Sequence, residues 1–472
     1  MSGMNVRLAF AIISSTCWSA FQHGYNTGVL NAPQTVMSEW LYKEALPDTN
    51  SSVAAEDDPQ VAAVWSVTVA IYCVGGMIGG TLTGVVADRF GRKGGLLLNN
   101  VLVFIGAAFE GSAKSLKSAE MLIVGRLVIG VNSGLNAGLA PLYLSEISPV
   151  SIRGSVGTVY QLVITMTILL SQVLGLQSVL GTESGWPYLL AATAVPAVIQ
   201  CITLPFCPES PKYLLLNKGL ELRAQRALNW LRGDVAVHGE MEEMHQEAEK
   251  NKVSKKVTLR ELLSNRALRS PLIIAATVMV SQQLSGINAV IFFSTDIFLN
   301  VNLGETNSQY ATLGMGAMNV VMTFLSLLLV ERAGRKTLLL AGFTGMLLCT
   351  VGLSVASLFT HHEWVSYLCI ALVILFVVMF AVGPGSIPWF LVTELFNQSS
   401  RPAASAVAVT INWLANFIVG LSFLPLSLRM GTNVFLLFGI LQIFFIIFIK
   451  FKVPETKNKT IEEITAMFRQ NI

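Results

Sequence analysis

The residues of this chain best suited to recognising a small molecule are neutral amides set inside apolar runs. They are Gln161, Gln282, Gln283, Asn288, Asn319, Asn412 and Asn416, accompanied by Ser285 and Trp413. An amide offers donors and an acceptor without charge. A lone one in hydrocarbon costs several kcal/mol, so each must face a cavity or bond to a neighbouring helix. For the isolated Gln200 the interhelical bond is expected. Enzymatic chemistry has no matching constellation: there is no HExxH, no nucleophile elbow and no carboxylate pair facing a cavity. The five histidines are scattered, and His361-His362 is expected on an outer loop. No metal and no cofactor is expected. The six cysteines (Cys17, Cys73, Cys201, Cys207, Cys349, Cys369) share no spacing and read as small packing residues.

A second set of residues recurs in order. DRFGRK (Asp88 to Lys93) returns as ERAGRK (Glu331 to Lys336). Glu146 with Arg153 seven residues on returns as Glu394 with Arg401, and PESPK from Pro208 returns as PETK from Pro454. The three pairs stand about 245 residues apart, which marks two parallel halves with a site between them near the membrane midplane. Arg89, Arg92, Glu146, Arg153, Glu209, Arg332, Arg335, Glu394, Arg401 and Glu455 sit at helix ends in this pattern. Such charges suit a network that holds one side shut in one state and releases it in the other.

The elements that carry these residues follow from composition. Of 472 residues 53% are apolar and 12% charged, about half the charge of a soluble globular protein. Apolar runs of roughly 20 residues recur about twelve times, centred near residues 18, 72, 104, 131, 168, 196, 282, 319, 347, 378, 413 and 441. The first run, already polar at Gln22, His23 and Asn26, reads as a transmembrane helix and not as a cleavable leader. Glycines at Gly76, Gly80, Gly84 in span two and at Gly130, Gly134, Gly138 in span four suit close helix packing at a spacing of four. Gly383, Pro384, Gly385 and Pro388 break the regular helix of span ten.

Lys and Arg divide by loop, about 26 against the four residues Lys43, Lys114, Lys117 and Arg429. That bias places both termini in the cytoplasm and the loop from Met37 to Pro59 outside. Its Asn50-Ser51-Ser52 is then a usable glycosylation acceptor. The expected organisation is an N-terminal six-helix half over 1–207, cytoplasmic linker helices over 208–264, a C-terminal half over 265–452 and a tail over 453–472.

Together, GRK after spans two and eight, PESPK, QQLSGIN (Gln282 to Asn288), GPGSIPWF (Gly383 to Phe390) and PETK resemble the facilitative glucose transporters, sugar porters of the major facilitator superfamily. The resemblance covers essentially the whole chain. It implies an all-α membrane protein of twelve transmembrane helices in two pseudo-symmetric six-helix bundles, alternating access and a monosaccharide substrate, D-glucose first. It also implies substrate-binding roles for Gln161, Gln282, Gln283, Asn288, Asn319, Trp389 and Asn412. The family's glutamate two residues before the GPG stretch is here Ala381, and its tyrosine pair after the span-seven motif is Phe292-Phe293. These departures leave a fructose-preferring transporter as an alternative. Proton-coupled members carry an aspartate on span one paired to an arginine on span four; here Arg126 is present but the partner position is Asn26. No carboxylate stands at the middle of any span, so uniport is expected over symport. A sugar sensor is a third alternative, disfavoured by a tail of about 20 residues after the last span. A plasma-membrane location, with the lipid bilayer and sugar as partners and no nucleic acid, completes the expectation.

Overall fold

The computed structural model describes residues 3–47, 52–149, 152, 156, 159–253, 257–359, 361–396, 400–456, 459 and 461–470. All twelve expected spans fall on helices. Among the described residues nine are long and apolar enough to cross a membrane on their own: Pro59–Phe90 (span two), Arg92–Ser112 (three), Ala119–Ile147 (four), Trp186–Phe206 (six), Arg266–Asn300 (seven), Arg335–Phe359 (nine), Glu363–Trp389 (ten), Pro402–Met430 (eleven) and Val434–Lys452 (twelve). Span five is the shorter apolar helix Val159–Leu174, and span eight is Glu305–Ala333. Span one is Val6–Ile12 and Trp18–Gly28 joined through a π-helical turn at Ile13–Cys17. Helix is what the bilayer permits here, because every backbone polar group must find its partner inside the segment. Side chains close the exposed amide ends. Asp58 accepts from the backbone N–H of Gln60 at 2.9 Å before span two, where Pro59 needs no donor, and Ser118 accepts from Met121 at 3.3 Å before span four.

Charge distinguishes the two ends of the bundle. The basic end carries the start of the helix at Val6, the helix Ile461–Gln470, Arg89 to Lys93 and Arg332 to Lys336; the acidic end carries Glu39, Glu44 and Glu56 to Asp58. Short helices join the halves at the basic end, as the spacing of Leu228 and Leu231 predicts: Glu221–Leu231, His238–Val253 and Leu259–Ser264. They dock on the first half through Arg232, whose guanidinium reaches Glu240 at 2.8 Å and the Ile147 carbonyl at 2.8 Å.

Small residues set the closest approaches, as the glycine spacing suggests. Gly75 and Gly79 of span two, one residue before Gly76 and Gly80, face Gly130 and Gly134 of span four. A Cβ on Gly130 would lie 2.3 Å from the Tyr72 carbonyl oxygen and 2.9 Å from Gly75 Cα. Gly138 packs instead against the Thr83 side chain. Gly76, Gly80 and Gly84 lie four residues apart on one face of span two, and that face turns toward span eleven of the other half. A Cβ on Gly76 would meet the Trp413 ring at 2.7 Å; on Gly80 the nearest atom is Val409 Cγ1 at 3.9 Å; on Gly84 nothing lies within 4 Å. The two halves therefore touch at mid-membrane and part toward the basic end.

Gly130→Val is expected to destabilise the protein by about 2 kcal/mol or more, because the obstacle is backbone that cannot rotate away. Gly84→Val should stay within about 0.5 kcal/mol. Thermal unfolding of the two purified variants in detergent checks the contrast.

Candidate substrate site and its gates

Span seven is broken where its polar motif lies. The helix Arg266–Leu284 ends at Ser285, Gly286 takes φ +99°, and a new helix runs over Ile287–Asn300. The left-handed conformation, with Phe438 only 3.2 Å from any added Cβ, requires glycine there. Span ten breaks beside it, as its glycines and prolines predict: the helix Glu363–Val382 stops and Ile387–Leu395 restarts after four residues. A Cβ on Gly383 would strike the Leu338 carbonyl at 2.2 Å, so the chain turns against span nine at that point.

The amides expected at the site meet across these breaks. Gln282 Nε2 donates to the freed carbonyls of Pro384 at 3.0 Å and Gly385 at 2.8 Å. Its Oε1 accepts from Asn412 Nδ2 at 2.8 Å, while Gln283 Nε2 donates to Asn412 Oδ1 at 3.0 Å. Gln283 Oε1 is left without a partner, and so is Asn416 Oδ1 one turn further along span eleven. Spans seven, ten and eleven thus present a connected amide cluster with unused acceptors. Asn288, past the Gly286 break, is 8% exposed. Gln161 is exposed on span five, which packs against span eight, where half-buried Asn319 accepts from Thr323 within its own helix at 3.4 Å. Trp389, at the restart of span ten, is 40% exposed. The structure therefore joins Gln282, Gln283 and Asn412 directly; Gln161, Asn288, Asn319 and Trp389 make no hydrogen bond with that trio.

The first half brings His23, Tyr72 and Tyr160, none of them among the expected site residues, against Trp413 of span eleven. Trp413 lies against Gly76, its ring stacked with His23 at 6.1 Å and met edge-on by Tyr72 at 6.2 Å. His23 Nδ1 and the Tyr160 hydroxyl share a hydrogen bond of 2.9 Å. Their places next to Gln22 in span one and Gln161 in span five were the available signal; which helices they join was not. Other first-half amides bond among themselves. Gln22 donates to Asn100 at 3.1 Å and accepts from Asn136 at 3.0 Å, and Gln200 donates to Ser15 O and Ser19 Oγ, each at 2.9 Å. For Gln200 the interhelical reading is the correct one.

At the acidic end the halves are stitched by neutral groups. Asn31 donates to Ile291 O at 2.6 Å and to Ser294 Oγ, and accepts from the Thr295 N–H at 3.2 Å. Gln309 donates to Ala32 O at 3.2 Å and accepts from the Gln177 N–H at 3.0 Å. Five neutral bonds at about 1 kcal/mol each make a clamp of roughly 5 kcal/mol. A ligand that binds the two access states differently is able to overcome a clamp of that size.

At the basic end the repeated charges pair within each half. Arg92 Nη2 meets Glu146 Oε1 at 3.0 Å, joining the start of span three to the end of span four, with Ser210 also donating to Glu146. Glu209 accepts the backbone N–H groups of Arg92 at 3.1 Å and Lys93 at 3.0 Å, where the helix dipole favours a carboxylate. The second half repeats each feature: Arg335 Nη2 to Glu394 Oε1 at 2.9 Å, Thr456 to Glu394, and Glu455 accepting from the Arg335 and Lys336 N–H groups at 2.9 and 3.2 Å. Gly91 and Gly334 share φ values of +80° and +88° beneath these carboxylates. Arg89 is exposed and lies over Phe90, and Arg332 is exposed. Arg153, the Arg401 side chain and Asn50 lie outside the described residues.

Both departures from the expected motifs have packing consequences. Phe293 is fully buried and stacks on Phe423 at 5.2 Å beside Phe435 and Phe438, an apolar stack. Ala381 is buried one residue from the end of the first span-ten helix. Asn26 does meet Arg126, through its backbone: Arg126 Nη1 donates to Asn26 O at 3.0 Å. No carboxylate stands at the middle of span three, but its last turn carries Glu110, which the fold buries completely. Its signal was the single acid in the run Val101 to Gly111.

Comparison with known proteins agrees with this architecture. The family model described as sugar (and other) transporter matches residues 11–468. The chain is 45% identical to solute carrier family 2, facilitated glucose transporter member 1, of Gallus gallus, over 99% of this chain and 95% of that protein. It is 44% identical to facilitated glucose transporter member 3 of Canis lupus familiaris, over 98% and 93%. Among solved structures it is similar to the inward-open conformation of the xylose transporter XylE from E. coli, with TM-score 0.79 and 25% identity over 98% of this chain and 99% of that one. The proton:xylose symporter XylE bound to 6-bromo-6-deoxy-D-glucose matches with TM-score 0.76 and 24% identity, over 98% and 100%.

Proposed function

Because the chain belongs to the sugar transporter family, we propose that it carries D-glucose and other hexoses across its membrane by facilitated alternating-access uniport. It is an integral membrane protein of the major facilitator fold, and its relatives named above are facilitated glucose transporters. The observation that carries the reading is the uncharged amide cluster of Gln282, Gln283 and Asn412, set where two broken helices meet and left with a spare acceptor. A sugar presents hydroxyls that both donate and accept and bears no charge. Neutral amides satisfy it without the desolvation cost of an ion, and the Trp413 ring offers its apolar face a surface.

In the proposed site Gln282, Gln283, Asn288 and Asn412 hold the hydroxyls from the second half. Gln161 reaches across from span five, Asn319 from span eight, and Trp389 bounds the path at the restart of span ten. The two halves, 1–207 and 265–452, move as units about their mid-membrane contact, with residues 208–264 as the tether and 453–472 as the tail. The present state is shut at Asn31 and parted beyond Gly80. In the outward state the Asn31 and Gln309 bonds break and spans two and eleven close. The network of Arg89, Arg92, Glu146, Arg153, Glu209, Arg332, Arg335, Glu394, Arg401 and Glu455 then controls the basic end. Its pairs hold each half rigid now and exchange partners across the halves when that end closes. The basic end faces the cytoplasm, the location is the plasma membrane, and Asn50 is glycosylated outside.

Initial uptake of labelled D-glucose into proteoliposomes, against L-glucose and with fructose as competitor, tests the reading. Saturable uptake of the D isomer alone supports it. Binding without uptake would favour a sensor, and uptake suppressed more by fructose than by equal unlabelled glucose would reassign the substrate.

A further inference from the structure

Glu110 is a buried acid that the transport scheme does not use. It lies in the last turn of span three, fully buried, and neither carboxylate oxygen has a hydrogen-bond partner. Its side chain rests on span four: a Cβ on Gly125 would be 2.7 Å from Glu110 Cγ, and Arg126 is the next residue. Arg126 is 1% exposed and at present engaged elsewhere. Its Nη1 holds the Asn26 carbonyl of span one, its guanidinium sits 4.6 Å from the centre of the Tyr72 ring, and its Nε is unpartnered. The other ionisable groups facing the pair are Tyr25 of span one, which donates to the Leu189 carbonyl of span six at 2.5 Å, and Tyr72 and Cys73 of span two. Arg126 is the one charged neighbour of Glu110 among the described residues.

We propose that Glu110 is a proton-binding site that sets how firmly span four holds span one, and thereby how readily the acidic end opens. The guanidinium has two competing acceptors, the Asn26 carbonyl and the Glu110 carboxyl. With the proton on Glu110 the carboxyl is neutral, and Arg126 stays on Asn26. When the proton leaves to water, an isolated buried anion beside a cation is costly unless they pair, so Arg126 turns to Glu110 and releases Asn26. Span one carries Asn26 five residues before Asn31, the residue that latches the acidic end. Loosening the first therefore favours release of the second. Glu110 bonds to no amide of the proposed sugar site, so the proton tunes the rate of exchange between states and drives no accumulation.

The inference rests on the transport reading, and one assay separates the two. Initial D-glucose uptake, corrected for L-glucose, is measured in proteoliposomes at equal internal and external pH between about 5.5 and 8.5. Uptake should rise with pH by about 5-fold or more, the low end of ordinary coupling between sites. Glu110→Gln and Glu110→Met should both flatten the profile, and Glu110→Asp should restore a slope. A flat wild-type profile overturns the proposal, as does a slope retained by either the glutamine or the methionine variant. Absence of stereospecific uptake at every pH overturns the transport reading instead.

Discussion

Gln282→Leu is expected to lower D-glucose uptake by about 10- to 100-fold, the largest effect of any single substitution at the proposed site. The side chain is 3% exposed and its amide answers three groups at once: the carbonyls of Pro384 and Gly385 and the Nδ2 of Asn412. Leucine fills nearly the same volume but leaves those groups unsatisfied, and each buried orphan costs about 1–3 kcal/mol. Part of that cost is removed when water or sugar fills the gap, which leaves the 1.4 to 2.7 kcal/mol that corresponds to the stated loss. Gln283→Leu should do less, because Gln283 holds Asn412 alone among the site amides at normal hydrogen-bond length. Uptake normalised to reconstituted protein measures both. Loss of less than about twofold for Gln282→Leu would remove that residue from the site.

Arg92→Leu is expected to destabilise the protein by about 3–5 kcal/mol and to abolish uptake, because it strands Glu146 in a site that is largely closed to water. The two side chains are 10% and 11% exposed, against 13% and 26% for Arg335 and Glu394. Arg335→Leu should therefore cost less, since the Glu394 carboxylate, about a quarter exposed, keeps some of its hydration. Removing both charges, as Arg92→Leu with Glu146→Gln, should recover part of the stability lost in the single variant, because no unpaired ion remains. Thermal unfolding of the four purified proteins checks the order. A double variant no more stable than Arg92→Leu would show that the ion pair is not the source of the loss.

Much of this architecture was legible along the chain. The recurrence of DRFGRK as ERAGRK announced two equivalent corners, and the structure builds them alike down to the glycine torsions and the carboxylate over the next helix start. The break in span ten was readable from Gly383 and Pro384 because proline removes a donor. The break in span seven was not, since one glycine between serine and isoleucine has no signature until its φ is known. Periodicity identifies a helix face but not its neighbour. Hence the close packing of the glycines was readable from their spacing, but not that Gly75 and Gly79 face span four while Gly76 receives Trp413. The same limit hid His23 beside Trp413 and Asn31 beside Ser294, which meet across more than 250 residues of chain. Glu110 was not singled out because a place two residues from the end of a span reads as exposed, whereas the fold buries it against span four.

Accumulation under an imposed proton gradient tests the central claim most directly. Proteoliposomes containing the protein would be given labelled D-glucose with the outside acidic, with the outside alkaline, and with no gradient. A uniporter whose span-one partner for Arg126 is the non-titrating Asn26 must bring internal glucose to the external concentration and no further in all three. Internal glucose rising above external when the outside is acidic, and collapsing on addition of a protonophore, would contradict facilitated uniport.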